Sequence, residues 1–315
     1  MEIRPVSEEP RLAAVERNGL RLAVWDWPGA GPPVLFAHAT GFHGRVWDQV
    51  ARRVPGRRVL AIDFRGHGRS GKPNPPYRWS GFGDDLLAVA EELDLRGATG
   101  VGHSMGGHAM VSAAARQPAV FSDLLLVDPV IFPPEYYSAP PPDASFIKHR
   151  RAVWKSPEEM FERYYGRQPF AGWHAAVLRD YCRFGVLPED GHYVLACPPA
   201  IETSIYAEGN APEANLYPLI PGIRLPVTVL RADARGAPGV FDLSASPTWP
   251  RLAERFACGH DRLLTGRNHY IPMESPELVA AEIAAIAGLP PVAKPGHPER
   301  SRQRCVRPDR TCAGR

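Results

Sequence analysis

The chain has 315 residues, 44% of them hydrophobic, and a formal net charge of +3 at pH 7. This length can bury a sizeable core, either in one large domain or in two small ones. The charge is uneven, because residues 291–315 hold seven Lys or Arg against two acidic residues, and subtracting this +5 tail from +3 leaves −2 for residues 1–290. A body with that charge is not expected to bind nucleic acid.

The basic tail over residues 291–315 shows no apolar periodicity. Without apolar surface to bury, it cannot offset the entropy that ordering costs, so we expect a disordered and solvated segment. Contact with RNA or anionic lipid is the less favoured alternative.

Five cysteines are scattered along the chain without a Cys-x-x-Cys pair. This pattern indicates reduced thiols rather than a zinc ribbon or a secreted disulfide framework. The first ten residues are acidic and contain proline, whereas a signal peptide needs a basic stretch followed by an apolar run. No later stretch approaches the roughly 18 unbroken apolar residues of a membrane span. The sequence therefore predicts a cytoplasmic protein without a membrane span.

Two apolar stretches flank Asn18-Gly19, a dipeptide that favours a type I′ turn, so residues 11–27 are predicted to form a β-hairpin. Beyond it, short apolar runs alternate with helical patterns. The predicted strands, in chain order, are Val34–His38, Val59–Phe64, Ala98–Gly102, Leu124–Val127, Val227–Leu230 and a short run near Leu263–Leu264. The predicted helices begin near Val46, cover Asp84–Leu95, and begin again near Met105 and Ser275. This alternation predicts a mostly parallel central sheet with helices on both faces.

Almost a hundred residues separate the strand that ends near Asp128 from the one that begins near Val227. They contain no clear strand pattern, but they include aromatic-rich helical stretches such as residues 157–165. A structureless loop of that length would be exceptional in a compact domain, so residues 131–225 are predicted to form a helical cap inserted into the sheet domain.

The pattern Gly102-His103-Ser104-Met105-Gly106 fits the motif G-x-S-x-G. By itself this motif is weak, but here a short predicted strand precedes it and a helix of small residues follows it. In that setting a tight elbow lifts a serine oxygen clear of the sheet. The alternative is a glycine-rich turn with an ordinary serine N-cap. We favour Ser104 as a nucleophile.

A serine hydroxyl becomes a good nucleophile only when a neighbouring base removes its proton. His269 is our candidate base, because it lies in a loop between the last predicted strand and the helix that begins near Ser275. His103 and His108, within and just after the elbow, are interpreted as packing or supporting groups.

The oxyanion of an acyl-transfer reaction is normally stabilised by two backbone N–H groups. The Met105 N–H, directly after the serine, is the first candidate. The second is expected from the loop His38-Ala39-Thr40-Gly41-Phe42, where Thr40 is our choice. His38 is interpreted as a structural residue.

With these motifs, residues 11–288 resemble a capped member of the α/β-hydrolase superfamily. The segments that carry the resemblance are the loop 38–42 with Trp47, the run 63–70 (DFRGHGRS), the elbow 102–107, and His269 with 272–277 (PMESPE). The predicted domains are then an α/β-hydrolase core over residues 1–130 and 226–290, a helical cap over 131–225 and the basic tail over 291–315. The oxyanion loop of the family usually reads His-Gly, and Ala39 departs from that pattern; the version found here resembles lipase- and esterase-like proteins.

The acid that would orient His269 has two main candidates. Family members generally place it soon after the penultimate strand, where Asp233 lies, slightly earlier than that pattern asks. Another solution in the family puts it at the end of the strand that follows the nucleophile helix, which is the position of Asp128. Both preserve the order serine, acid, histidine. We favour Asp128 over Asp233, with Asp242 a distant third.

The resulting hypothesis is a serine hydrolase in which Ser104 attacks an acyl carbonyl and water later cleaves the acyl-enzyme. It needs no metal or organic cofactor, and the aromatic insert suggests an apolar small-molecule acyl substrate. An acyltransferase or perhydrolase would use the same site, and a non-catalytic ligand receptor on this fold would typically lack the serine or the histidine. Dehalogenase and epoxide-hydrolase chemistry need a carboxylate at the elbow, which Ser104 argues against. The sequence predicts no particular oligomeric state.

Overall fold

The computed structural model describes residues 9–54, 56–141, 143–236 and 242–289. The strands in this part of the chain are β1 (Arg11–Arg17), β2 (Leu20–Trp27), β3 (Gly31–Ala37), β4 (Arg57–Asp63), β5 (Ala98–His103), β6 (Phe121–Val127), β7 (Val153–Trp154), β8 (Val186–Glu189), β9 (His192–Leu195), β10 (Val227–Ala232) and β11 (Gly259–Leu264). The α-helices are α1 (Asp48–Ala51), α2 (Trp79–Glu92), α3 (Met105–Arg116), α4 (Pro157–Tyr164), α5 (Ala175–Phe184), α6 (Pro199–Ala207), α7 (Ile271–Glu274) and α8 (Pro276–Ile286).

Within the described ranges, the main sheet has eight strands in the order β1-β2-β4-β3-β5-β6-β10-β11. The first two pairings, β1 with β2 and β2 with β4, are antiparallel, and all the others are parallel. The predicted hairpin is confirmed, because Asn18 and Gly19 have φ of 51° and 75°, the positive values that a type I′ turn requires. The predicted mostly parallel sheet is likewise confirmed.

Successive residues of the central strands point to opposite faces of the sheet, so each strand contributes to two apolar cores. In β6, Leu124 and Leu126 belong to one core, whereas Leu125 and Val127 belong to the other. Helices α2 and α3 cover the first core, and α1, α8 and α5 cover the second. Because both faces are buried, these strands are continuous apolar runs in the sequence.

The insert between β6 and β10 contains α4, α5 and α6, in agreement with the predicted helical cap, but it also contains a small antiparallel sheet in the order β7-β9-β8. This sheet was not predicted. Asp190-Gly191 closes the β8–β9 hairpin with φ of 44° and 80°, so the dipeptide was the available signal. The signal was missed because the strands are only two to four residues long and show no apolar alternation.

Other elements differ from their predicted bounds. Helix α2 begins earlier than predicted, at Trp79, and the helix predicted from near Val46 is the single turn α1 after a 3₁₀ turn at Gly44–Trp47. Strand β11 is longer than its apolar run, because it is an edge strand whose polar residues are exposed. The predicted tail over 291–315 lies outside the described residues. Among the described helices, none is both long and apolar enough to cross a lipid bilayer.

Candidate active site

Ser104 lies at the turn between β5 and α3, at the carboxyl edge of the parallel strands. Its φ of 57° and ψ of −121° are unfavourable for a residue with a side chain. The turn is fixed by backbone bonds, since Ser104 N–H donates to the Val127 carbonyl and the Ser104 carbonyl accepts from Gly107 and Val130 N–H groups. The strained conformation is that of a nucleophile elbow.

The two glycines of the motif permit close backbone contacts around this elbow. A Cβ atom at Gly102 would lie 2.4 Å from the Gly106 carbonyl oxygen, and one at Gly106 would lie 2.2 Å from the Ala37 carbonyl oxygen. Both contacts are with main-chain atoms, which cannot rotate away as a side chain can. The motif G-x-S-x-G is therefore required sterically at both ends.

His269 links Ser104 to Asp128. Its Nε2 lies 3.0 Å from Ser104 Oγ, and its Nδ1 lies 2.7 Å from Asp128 Oδ2. With Nδ1–H donating to the carboxylate, Nε2 is left as the acceptor for the serine hydroxyl. His269 lies in the loop between β11 and α7, and Asp128 directly follows β6. The strand ends of the parallel sheet thus bring together three residues that are far apart in the sequence.

Asp128 is fully buried, and its other carboxylate oxygen is also bonded. Oδ1 accepts from Ala232 N–H at 3.0 Å and from the Ser246 hydroxyl at 2.7 Å, and the Thr248 hydroxyl lies 3.2 Å away. These donors hold the carboxylate in the orientation that faces His269. Ser246 and Thr248 could not be predicted from the sequence, because they lie in a loop more than a hundred residues away and no motif connects them to Asp128.

The other two acid candidates do not contact His269. Asp233 turns toward the loop after β11, where its carboxylate accepts from the N–H groups of Gly266 and Arg267. Asp242 accepts from the backbone and the hydroxyl of Ser244, and it lines a cavity together with Ser104 and His269. Of the three carboxylates considered, the structure brings only Asp128 to the imidazole.

The loop that follows β3 lies beside the elbow. Thr40 Oγ1 is 3.4 Å from Met105 Sδ, and Thr40 and Ser104 line the same cavity. Met105 is the first residue of α3, so its N–H has no acceptor within the helix. The N–H groups of Thr40 and Met105 also make none of the loop or turn bonds in the described chain. Both donors are available for a ligand oxygen.

Two buried histidines hold the residues on either side of Thr40. His38 donates from Nδ1 to the Ala39 carbonyl and accepts at Nε2 from Phe64 N–H. His67 accepts the Gly41 N–H at Nε2, 3.0 Å away. Burial lowers the pKa of His38 well below its ordinary value and that of His67 to about 4. Both rings therefore stay neutral near pH 7 and can act as the acceptors that the loop requires.

His103 lies beside the candidate base. Its Nε2 is 2.8 Å from the carbonyl of His269, and burial lowers its pKa well below the ordinary value. A neutral ring that donates from Nε2 leaves Nδ1 as an acceptor, and this buried atom has no protein partner in the described chain. His108 instead donates to the Ala214 carbonyl of the insert, 2.7 Å away.

A cavity of about 390 Å³ opens above Ser104 and His269, between the sheet edge and the insert. Most of its lining is apolar, and the aromatic side chains include Phe42, Trp79, Phe170, Trp173, Tyr181 and Tyr270. Arg150 and Glu202 also line it as an ion pair, with 2.7 Å between Nη1 and Oε2. This pair was not predicted from the sequence, because 52 residues without a common motif separate the two.

The described residues contain no group of three or more His, Cys, Asp or Glu side chains suited to hold a metal ion. Cys182, Cys197 and Cys258 are free thiols, and the other two cysteines lie outside the described ranges.

Comparisons with known proteins agree with this architecture. A non-heme chloroperoxidase of Streptomyces lividans is 37% identical over 117 residues, which cover 36% of this chain and only 42% of that protein. A 2-(acetamidomethylene)succinate hydrolase of Mesorhizobium japonicum is 25% identical over 265 residues, covering 81% of this chain and 87% of that protein. The solved structure of an E-2-(acetamidomethylene)succinate hydrolase superposes with a TM-score of 0.72 at 22% identity, covering 89% of this chain and 99% of that one.

The sequence model of one family covers most of the chain. This model, described as the alpha/beta hydrolase family, matches residues 34–282, a range that includes the elbow, the strand end at Asp128 and the loop of His269. With the sheet order and the superposition, this match shows that the chain belongs to the alpha/beta hydrolase family, and that it is an enzyme of that type.

Proposed function

We propose that this enzyme is a serine hydrolase that cleaves a carboxylic ester or a related acyl bond through an acyl-enzyme intermediate. The observation that carries the proposal is the hydrogen-bonded line from Asp128 through His269 to Ser104, at the floor of an apolar cavity. A line of this kind can activate a serine hydroxyl, because the imidazole accepts the proton and the carboxylate stabilises the imidazolium.

In the proposed reaction, Ser104 Oγ attacks the acyl carbonyl while His269 Nε2 takes its proton. The negative charge that develops on the carbonyl oxygen is stabilised by the N–H groups of Thr40 and Met105. His269 then returns the proton to the leaving group, and an acyl-enzyme remains on Ser104. A water molecule, deprotonated by His269, attacks this ester and releases the acid. The steps need no metal ion and no organic cofactor.

The substrate that fits best is a small or medium-sized acyl compound with an apolar body. The aromatic lining and the cavity volume of about 390 Å³ support this class. Nucleic acid is not expected as a partner, since residues 1–290 carry a net negative charge. The cytoplasmic location stays a prediction from the sequence.

The test is covalent labelling with a fluorophosphonate, combined with turnover of p-nitrophenyl esters of increasing chain length. We expect labelling of the purified protein and complete loss of labelling in Ser104→Ala, with turnover reduced by about six orders of magnitude. Ser122→Ala, which removes an exposed hydroxyl at the far end of β6, is the matched control and should label normally. Absence of labelling and turnover in the unaltered protein would favour the receptor alternative.

A second candidate is perhydrolysis, in which hydrogen peroxide replaces water as the acceptor of the acyl group. It is favoured by the partial similarity to a protein named non-heme chloroperoxidase. The acyl-enzyme and hydrogen peroxide would yield a peracid and free Ser104, and the peracid would oxidise chloride to hypochlorous acid while returning to the carboxylic acid. Peracid formation from acetate and hydrogen peroxide, compared between the unaltered protein and Ser104→Ala, separates this activity from hydrolysis.

A further inference from the structure

An ion pair interrupts the apolar wall of the active-site cavity. Arg150 donates from Nη1 to Glu202 Oε2 at 2.7 Å and from Nη2 to the hydroxyl of Tyr181. Arg150 and Tyr181 are brought together from separate parts of the insert, and Glu202 lies on α6. All three residues line the cavity above Ser104. A buried charged pair in an otherwise apolar wall is costly to keep for packing alone.

The guanidinium still has hydrogen-bonding capacity toward the cavity. Arginine carries five N–H donors, of which two are taken by the bonds to Glu202 and Tyr181 in the described chain. About 20% of its side chain remains accessible, against 5% for Glu202. Because Tyr181 accepts from the guanidinium, its own O–H proton is also free to point at a ligand oxygen. Arg150 and Tyr181 thus present hydrogen-bond donors to the cavity.

This donor cluster lies close to the reacting centre. Gly41 follows Thr40 in the loop beside the elbow, and a Cβ atom there would lie 2.7 Å from Glu202 Oε1. The Glu202 carboxylate therefore packs on the oxyanion loop with one oxygen and binds Arg150 with the other. Only one carboxylate separates the guanidinium from the loop that would hold the substrate carbonyl.

The charges in the wall indicate which kind of ligand oxygen can accept a hydrogen bond from Arg150 or Tyr181. Glu202 already balances Arg150, and Asp242 adds a negative charge to the lining. A substrate carboxylate would bring a further negative charge against a single guanidinium, which a cavity of low polarity disfavours. A neutral carbonyl oxygen would accept from Arg150 or Tyr181 without that penalty.

We propose that Arg150 and Tyr181 determine the specificity of this site, by binding a second, neutral carbonyl oxygen carried by the acyl chain of the substrate. This inference rests on the proposed hydrolase function, because it concerns the substrate of that reaction. It is a statement about binding, however, so it can be tested without turnover. The preferred substrates are then oxo- or amide-bearing acyl esters rather than plain alkyl or carboxylate-bearing ones.

The experiment measures equilibrium binding by calorimetry to the Ser104→Ala variant, so that esters are not consumed. The ligands are ethyl hexanoate, its 3-oxo, 4-oxo and 5-oxo derivatives, and monoethyl adipate. Each is tested again after adding Arg150→Met and Glu202→Gln together, which removes the pair without leaving an unpaired charge. The matched control adds Arg151→Met and Glu159→Gln, a neighbouring ion pair that is more exposed and does not line the cavity.

We expect at least one oxo ester to bind about tenfold more tightly than ethyl hexanoate, as one hydrogen bond to a charged donor provides. This advantage should disappear in the Arg150/Glu202 variant and persist in the Arg151/Glu159 control, and monoethyl adipate should bind more weakly than the best oxo ester. The inference is overturned if no oxo ester gains over hexanoate, if the gain survives loss of the pair, or if adipate binds most tightly.

A second variant keeps the test valid if removal of the pair prevents folding. Arg150→Lys retains the positive charge beside Glu202 but loses the planar fork that reaches two partners and a ligand. The oxo advantage should then fall below threefold with an unchanged melting temperature, and an undiminished advantage contradicts the proposal. Fluorophosphonate labelling of the parent protein reports on the hydrolase function separately.

Discussion

The floor and the wall of the cavity are held in different ways. On the floor, Ser104 and Asp128 directly follow strands of the sheet and are fixed by backbone bonds. In the wall, Arg150, Tyr181 and Glu202 come from separate parts of the insert and are joined through their side chains. The geometry of the proposed catalytic residues therefore depends on the sheet. The polarity of the wall depends instead on a few long side chains that can change without altering the sheet.

The largest effect that this comparison predicts is on the acid. Asp128→Asn should lower kcat by about 10³- to 10⁴-fold, because an amide cannot hold the imidazole in the required tautomer or stabilise its charged form. Asp233→Asn should change kcat by less than about threefold, since among the described residues that carboxylate bonds to backbone N–H groups of a loop and not to His269. Steady-state kinetics on a p-nitrophenyl ester measures both.

Circular dichroism and melting temperature provide the control for Asp128→Asn, whose fold should be retained because the amide oxygen can still accept from Ala232 N–H and Ser246. If Asp233→Asn alone abolishes turnover, the assignment of the acid is wrong, although the assignment of Ser104 and His269 would stand.

A glycine substitution tests whether the floor is set by backbone packing. Gly106→Ala should lower stability by about 1–3 kcal/mol and kcat at least tenfold, since its Cβ would lie 2.2 Å from the Ala37 carbonyl oxygen and must displace the elbow. Gly222→Ala is the matched control, because a Cβ there meets no atom of the described residues within 4 Å. Its free energy of unfolding should stay within about 0.5 kcal/mol of the parent.

Urea unfolding and ester turnover measure these two glycine variants. If both variants are equally stable, strand β3 shifts at little energetic cost to make room for the added Cβ at position 106. The contact with β3 would then not determine the position of Ser104.

The floor could be predicted from the sequence because its determinants are local. The glycines around Ser104 occur at fixed spacing, and Asp128 and His269 are recognisable as polar residues just beyond predicted strands. A parallel sheet brings such strand ends to one edge, so knowledge of the strands is nearly sufficient. The choice between Asp128 and Asp233 stayed open, because both follow strands that end at that edge and only side-chain direction distinguishes them.

The wall could not be predicted in the same way. Arg150 approaches Glu202 because of how the turns and helices of the insert pack on one another. No periodic pattern in the sequence predicts that packing. The small sheet of the insert was missed for a related reason, since its strands are too short for an apolar alternation to be visible. Ser246 and Thr248 illustrate the same limit on the floor, because their contact with Asp128 depends on a loop conformation.

The smallest predicted effect concerns the contact between the sheet domain and the insert, where two buried histidines, His108 and His43, donate to carbonyls of the insert. We call this contact the seam. His108 bonds to the Ala214 carbonyl and His43 to the Tyr181 carbonyl. Burial lowers the pKa of His108 to about 4 and that of His43 to about 3, from an ordinary value of 6.5. Between those values and 6.5 the unfolded chain binds protons that the folded chain does not, so each histidine makes stability fall as the pH falls.

His108→Gln isolates one such contribution, because glutamine can still donate to the carbonyl but does not titrate. Between about pH 6 and 4.5, the free energy of unfolding of the parent should fall more steeply than that of the variant, by roughly 1.4 kcal/mol per pH unit at most. The pH profile of the variant must be subtracted from that of the parent, because other buried groups also titrate in this range. Burial raises the pKa of Asp48 to about 6, so Asp48 makes stability rise, not fall, as the pH falls. Urea unfolding from pH 4.5 to 7.5 measures the free energy of unfolding of both proteins. Above pH 7 the two free energies should differ by a constant amount. Parallel pH profiles through the acid range would mean that His108 is accessible to protons in the folded state, and hence that the seam opens before the core unfolds.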